Sequence, residues 1–156
     1  MMANDPEEIA CWQRIGPHLT TSGRLSQADL ERLAHLQVTR VINLALADSP
    51  GILADEDEQL AALDIGYTHI PVPFDAPTDE HFATFCQAMA EAQGQTVHVH
   101  CVMNWRVAAF LYRWHRETQG MAEADARALM ERQWSPQTSE NRDAPGWARF
   151  IEGRAD

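Results

Sequence analysis

The chain alternates short β-branched runs with segments of helical periodicity, and this alternation confines it to layered α/β architectures. Val38 to Leu46 is a β-branched run that reads as a strand buried on both faces. Tyr67 to Val72 reads as a second strand, closed by Pro71 and Pro73, and Thr96 to His100 as a third. Ser26, with Asp29 in the first turn, is expected to cap a helix whose apolar stripe is Leu30, Leu33 and Leu36. Asp55 to Leu63 is expected as a helix whose acidic start suits its dipole. Thr78 is expected to cap a third helix carrying Phe82, Phe85, Cys86 and Met89 on one face and ending at Gly94. A helix from about Arg106 to Gln119 carries Val107, Phe110, Leu111 and Trp114 at helical spacing. Met121 to Trp134 is expected as another helix, and Pro145 to Ile151 as a last helical turn. The resulting expectation is a three-layer α/β fold: a central, mostly parallel sheet of about four to five strands with helices on both faces.

At 156 residues one domain over 1–156 is expected, with residues 1–15 as a mobile extension. A chain of this length buries enough surface to fold without disulfides or metal. Twelve Lys plus Arg against 23 Asp plus Glu leave a formal charge of −11. That charge disfavours nucleic acid and acidic membranes as partners, because phosphate contacts need clustered cations. No apolar run approaches the ~20 residues that span a bilayer. The acidic first residues do not read as a secretory signal. Cys11, Cys86 and Cys101 follow no framework spacing, which suits a reducing cytoplasm.

The chemistry is concentrated between Thr96 and Phe110. Cys101 sits where a strand ends and Arg106 where a helix begins. The amides of Val102, Met103, Asn104 and Trp105 can turn into a common concavity, to which the helix N-terminus adds its positive end. This is an anion site with a thiol beside it. A cysteine at a helix N-terminus near a cation tends toward the nucleophilic thiolate, and a guanidinium there grips two oxygens of an oxyanion. His98 and His100 share a strand face, with His69 as the nearest further metal-ligand candidate. No third and fourth ligand shows a matching spacing, so no metal and no other cofactor is expected.

Val-His-Cys101 followed by Arg106 resembles the cysteine-dependent protein tyrosine and dual-specificity phosphatases. Arg40-Val-Ile-Asn-Leu44, Ile65-Gly-Tyr-Thr-His-Ile-Pro-Val72 and Pro73-Phe-Asp-Ala-Pro77 stand in the order found in small bacterial members of that superfamily, so the resemblance covers roughly residues 16–118. It implies a dual-specificity-phosphatase-like fold and hydrolysis of phosphoesters. By the same resemblance Cys101 is the nucleophile, Arg106 holds the equatorial oxygens, Asp75 is the general acid with Asp79 in reserve, His100 tunes the thiolate, and Asn43 orders neighbouring loops. The implied partner is a phosphorylated protein or a small phosphoester.

Two departures stand out. Only Val102-Met-Asn-Trp105, four residues, separate Cys101 from Arg106, one fewer than the superfamily signature, and the usual mid-loop glycine is absent. Asn104 is the residue best able to take over its left-handed conformation. Val107 and Ala108 also stand where a hydroxyl usually helps the cysteine leave, which implies slow breakdown of a phosphocysteine. The short loop is similar to that of rhodanese-type sulfurtransferases, the alternative enzyme class. A non-catalytic oxyanion-binding or phosphoprotein-binding module is the third reading.

Overall fold

The structure, a computed structural model, describes residues 5–153. In chain order the elements are β1 (Gln13–Gly16), β2 (Leu19–Ser22), α1 (Gln27–His35), β3 (Arg40–Asn43), α2 (Glu56–Ala62), β4 (Gly66–His69), α3 (Asp79–Glu91), β5 (Val97–His100), α4 (Trp105–Thr118), α5 (Glu123–Glu131) and α6 (Ala144–Glu152). The sheet runs β1-β2-β5-β3-β4, parallel throughout except for the antiparallel β1–β2 pair. β5, buried along its whole length, is the central strand.

Period-two alternation assigns the two faces. Val41 packs with Leu30, Leu33, Leu60 and Ile65 beneath α1 and α2. Ile42, Val97 and Val99 face the opposite layer, with Phe85 of α3, Phe110 of α4, Met130 of α5 and Trp147 of α6. The histidines of β5 alternate the other way: His98 stacks on Trp12 at 5.5 Å and on His100 at 6.4 Å. This is the three-layer α/β arrangement expected from the sequence.

Local signals account for the helix starts. Ser26 and Asp29 form a reciprocal capping box, as do Thr78 and His81. The final helix extends beyond the expected single turn, over nine residues, and buries Trp147 and Ile151.

The β1–β2 hairpin was not foreseen. Its polar residues Gln13, Arg14, Thr20 and Thr21 conceal a strand pattern, because Thr20, Thr21 and Ser22 are buried by pairing with β5 rather than by being apolar. Residues 5–15, read as a mobile extension, pack against the sheet: Ile9 is buried beside Leu25 and Leu30, and Asp5 pairs with Arg14 at 2.7 Å. Residues 1–4 of that extension lie outside the described residues. Among the described residues no helix is long and apolar enough to cross a membrane.

Candidate active site

β2, β3, β4 and β5 are parallel, so the segments leaving them gather at one edge of the sheet, where ligands of open α/β sheets bind. Four segments meet there: Gly23-Arg24 after β2, Leu44-Ala45 after β3, Pro73-Phe-Asp75 after β4, and Cys101 to Asn104 after β5.

The last of these is preset by its neighbours. Asn104 takes the left-handed conformation at φ 65°, as expected from its tolerance of that region, and serves as the N-cap residue of α4. Its side-chain amide donates to the Cys11 carbonyl at 2.9 Å and to Thr21 Oγ1 at 3.0 Å, tying the loop to the N-terminal segment and β2. The Val102 carbonyl accepts the Arg24 N–H at 2.9 Å. It lies so close to Gly23 that a Cβ there would stand 2.4 Å from the oxygen.

With that carbonyl turned outward, the N–H groups of Val102, Met103, Asn104, Trp105, Arg106 and Val107 have no acceptor among the described residues. Those of the first turn of α4 point back along the helix toward the loop, so unpaired donors and the positive helix end coincide.

Cys101 and Arg106 line one cavity of about 250 Å³, together with Pro50, Phe74, Val102, Met103, Trp105 and Asn141. Cys101 is 1% exposed and Arg106 9%. Burial pushes the Arg106 guanidinium below its ordinary value, and the neighbouring Cys101 acts in the opposite sense. Arg106 Nη1 donates to the Leu44 carbonyl at 3.4 Å. Among the described residues no carboxylate pairs with Arg106, which leaves Nε and Nη2 free for a ligand.

The mouth is apolar. Met103 is 48% exposed, and Phe74 packs against Trp105, Trp134 and Trp147 at 5.5–6.0 Å between centroids. Trp147 Nε1 donates to the Phe74 carbonyl at 2.6 Å, and Trp134 Nε1 to the Trp105 carbonyl at 2.9 Å. These tryptophans form rim and core, not a cage around a ligand.

The acid candidates separate. Asp75 is exposed on a tight turn closed by the Ala76 N–H to Pro73 carbonyl bond at 3.1 Å. It follows Phe74, which lines the cavity, but does not line the cavity itself. Asp79 is committed to Arg113 at 2.9 Å. Arg113 lies two helical turns, about 10 Å, along α4 from Arg106, so Asp79 is turned away from the cavity.

Asn43 is buried. Its Oδ1 accepts the Ala45 N–H at 2.8 Å and its Nδ2 donates to the Tyr67 hydroxyl at 3.1 Å, which orders the segment after β3. Burial is the main reason the Tyr67 hydroxyl is pushed up to about 12, so it stays neutral.

The histidines weighed as metal ligands have protein partners instead. His98 bridges Thr20 and Ser22 hydroxyls at 2.8 Å each, and His69 Nε2 donates to the Ala45 carbonyl at 2.6 Å. Among the described residues no group of three or more metal-ligating side chains comes together.

Sequence reasoning missed Gly23, Phe74, Asn141 and, most of all, Glu56. The Glu56 carboxylate is buried and lies 2.7 Å from His100 Nε2. Expected only as part of the acidic start of a helix, it shares the inward face of α2 with Leu60, four residues on. That spacing was the available signal.

No family model and no curated protein matches the chain. Solved structures do. A candidate phosphatase (DUF442) from Shewanella putrefaciens CN-32 superposes with a TM-score of 0.78 at 27% identity, covering 92% of this chain and 87% of its own. The P. aeruginosa protein TpbA gives a TM-score of 0.70 at 21% identity, covering 97% and 91%. Tk-PTP, in its active form, gives 0.70 at 19% identity, covering 92% and 97%. The chain therefore has the fold of the protein tyrosine and dual-specificity phosphatase-like superfamily.

Proposed function

We propose that the protein is a cysteine-dependent phosphoester hydrolase. One observation carries the reading: a thiol and an unpaired guanidinium share a small cavity at a helix N-terminus whose amides lack acceptors. Such an arrangement stabilises the equatorial oxygens of a transferring phosphoryl group.

In the first step the Cys101 thiolate attacks phosphorus. The S–P bond forms, the ester P–O bond breaks, and the leaving oxygen takes the proton of Asp75. In the second, water attacks phosphorus, the S–P bond breaks, the thiolate is restored, and the Asp75 carboxylate takes the water proton. Asp75 reaches the ester oxygen only from a substrate that projects past Phe74, which suits its place at the rim. The buried, hydroxyl-free Val107 supports slow hydrolysis of the phosphocysteine.

The apolar mouth supports an aryl or otherwise apolar monoester, and the formal charge of −11 works against polyanionic substrates. One of the TpbA structures is a complex with phosphotyrosine, which supports the same class of substrate here.

The test is phosphate release from p-nitrophenyl phosphate between about pH 5 and 8, where thiolate and protonated acid can coexist. Turnover is expected in the native protein, lost in Cys101→Ser and reduced by at least about a hundredfold in Arg106→Ala. Native protein that releases no phosphate, or Cys101→Ser that retains activity, refutes the assignment.

A further inference from the structure

The pair formed by Glu56 and His100 lies on the far side of β5 from the cavity and takes no part in the two steps above. Its side chains are 3% and 0% exposed, and Glu56 Oε1 has no partner among the described residues. A buried carboxylate with one oxygen left dry is costly relative to an apolar side chain. Packing alone would favour a leucine here, in line with Leu60.

What the pair gains is position and charge. His100 Nε2 lies 2.7 Å from Glu56 Oε2, and Nδ1 lies 3.2 Å from the Cys101 carbonyl. A carbonyl and an ionised carboxylate only accept hydrogen bonds, so both are satisfied together only when both ring nitrogens carry protons. The backbone of His100 extends the connection: its carbonyl accepts the Leu44 N–H at 2.9 Å. The Leu44 carbonyl in turn accepts the Val72 N–H at 3.1 Å and Arg106 Nη1 at 3.4 Å. One residue thereby braces the nucleophile, the guanidinium and the base of the Asp75 segment.

We propose that Glu56 is a positioning residue that holds His100 as an imidazolium behind Cys101, giving the shortened loop a second fixed positive charge. It acts through His100 and touches no substrate. The other ionisable groups around the pair are few. His98 stacks on His100 from within β5, and its own burial, with the charge on His100, pushes it well below the ordinary range, so it stays neutral. Tyr67 of β4 is neutral, as described, and feels the Glu56 charge together with that of Asp57. Cys101 is faced by Arg106 of α4 and by Cys11 of the N-terminal segment, with Arg24 acting on Cys11.

The test is the pH profile of Cys101 carbamidomethylation by iodoacetamide, read residue by residue by mass spectrometry. This proposal rests on the phosphatase reading only in naming Cys101 the nucleophile. Alkylation needs no turnover, so a protein inactive on phosphoesters that still shows the effect separates failure of that reading from failure of this one.

In Glu56→Gln the midpoint is expected to rise by about one pH unit, a tenfold loss of reactive thiolate on the acid side. Glu56→Asp keeps the charge and is expected to keep the native midpoint while melting at a lower temperature. An unchanged midpoint in folded Glu56→Gln, or equal shifts in both variants, overturns the proposal. Should Glu56→Gln fail to fold, nitrogen-15 chemical shifts of His100 in the native protein at pH 7 decide. Two protonated ring nitrogens support the assignment, and a neutral tautomer overturns it.

Discussion

Gly23→Ala probes how the anion cradle is preset. The added methyl would stand 2.4 Å from the Val102 oxygen, 3.1 Å from its carbonyl carbon and 3.3 Å from the Met103 Cα. These are backbone atoms, so no side chain can rotate away to make room. The chain can accept the overlap, at about 1–3 kcal/mol for overpacking, or swing the Val102 carbonyl out of the way. Swinging it breaks the bond from the Arg24 N–H, worth about 1 kcal/mol net, and turns the neighbouring amides off the cavity. The second response needs less energy and falls directly on the donors of the cradle. A loss of about 1.4–2.8 kcal/mol in oxyanion stabilisation corresponds to a 10- to 100-fold weaker affinity. Isothermal titration with inorganic phosphate or vanadate measures the binding term, and kcat/KM on p-nitrophenyl phosphate the transition-state term. Both are expected to fall within that range, with the melting temperature lowered by less than about 10 °C. Phosphate affinity and kcat/KM within twofold of native, in a variant that folds, would refute the idea that the outward Val102 carbonyl sets the direction of the amides.

Other outcomes follow from the same geometry. Asp75→Asn should lower kcat/KM, which reports the first step alone, by about 100-fold on a phenyl or alkyl phosphate and far less on p-nitrophenyl phosphate, whose leaving group needs no proton; equal losses of kcat/KM on both would remove Asp75 from the role of acid. Trp147→Phe removes the donor to the Phe74 carbonyl and should destabilise the fold by about 1–3 kcal/mol in urea unfolding, while lowering kcat as the Asp75 turn loses its anchor. Burial lowers His115 to about 4 and pushes His98 down as well. The unfolded chain therefore takes up protons first on acidification, so stability is full above about pH 6.5 and declines toward pH 4, by about 3 kcal/mol for His115. Urea unfolding at pH 7 and pH 4.5 should show a smaller difference in His115→Gln than in the native protein.

The order of elements was legible because apolar periodicity and capping residues are local. Ser26 with Asp29 and Thr78 with its helix were readable without tertiary information, and so was the left-handed Asn104. Cys101 and Arg106 were legible because strand end, loop and helix start are contiguous in the chain. The β1–β2 hairpin was not, since Thr20 and Ser22 are buried by bonds to His98, 78 and 76 residues away. Gly23 was silent for a similar reason: its small size answers to the Val102 carbonyl, which only the folded sheet brings near. Glu56 was misread because an acidic helix start has a sufficient local explanation, the helix dipole, and its buried partner His100 is 44 residues distant.

The grip of Trp147 on the Phe74 carbonyl and that of Asn104 on the Cys11 carbonyl tie the cavity wall to α6 and the loop after β5 to the segment before β1. A nascent polypeptide still waiting for α6 to emerge from the ribosome has the thiol and the guanidinium already synthesised, yet nothing to seat the wall that carries Phe74. Assembly of the chamber thus waits for α6, and a chain that stalls short of it carries the thiol without a finished wall.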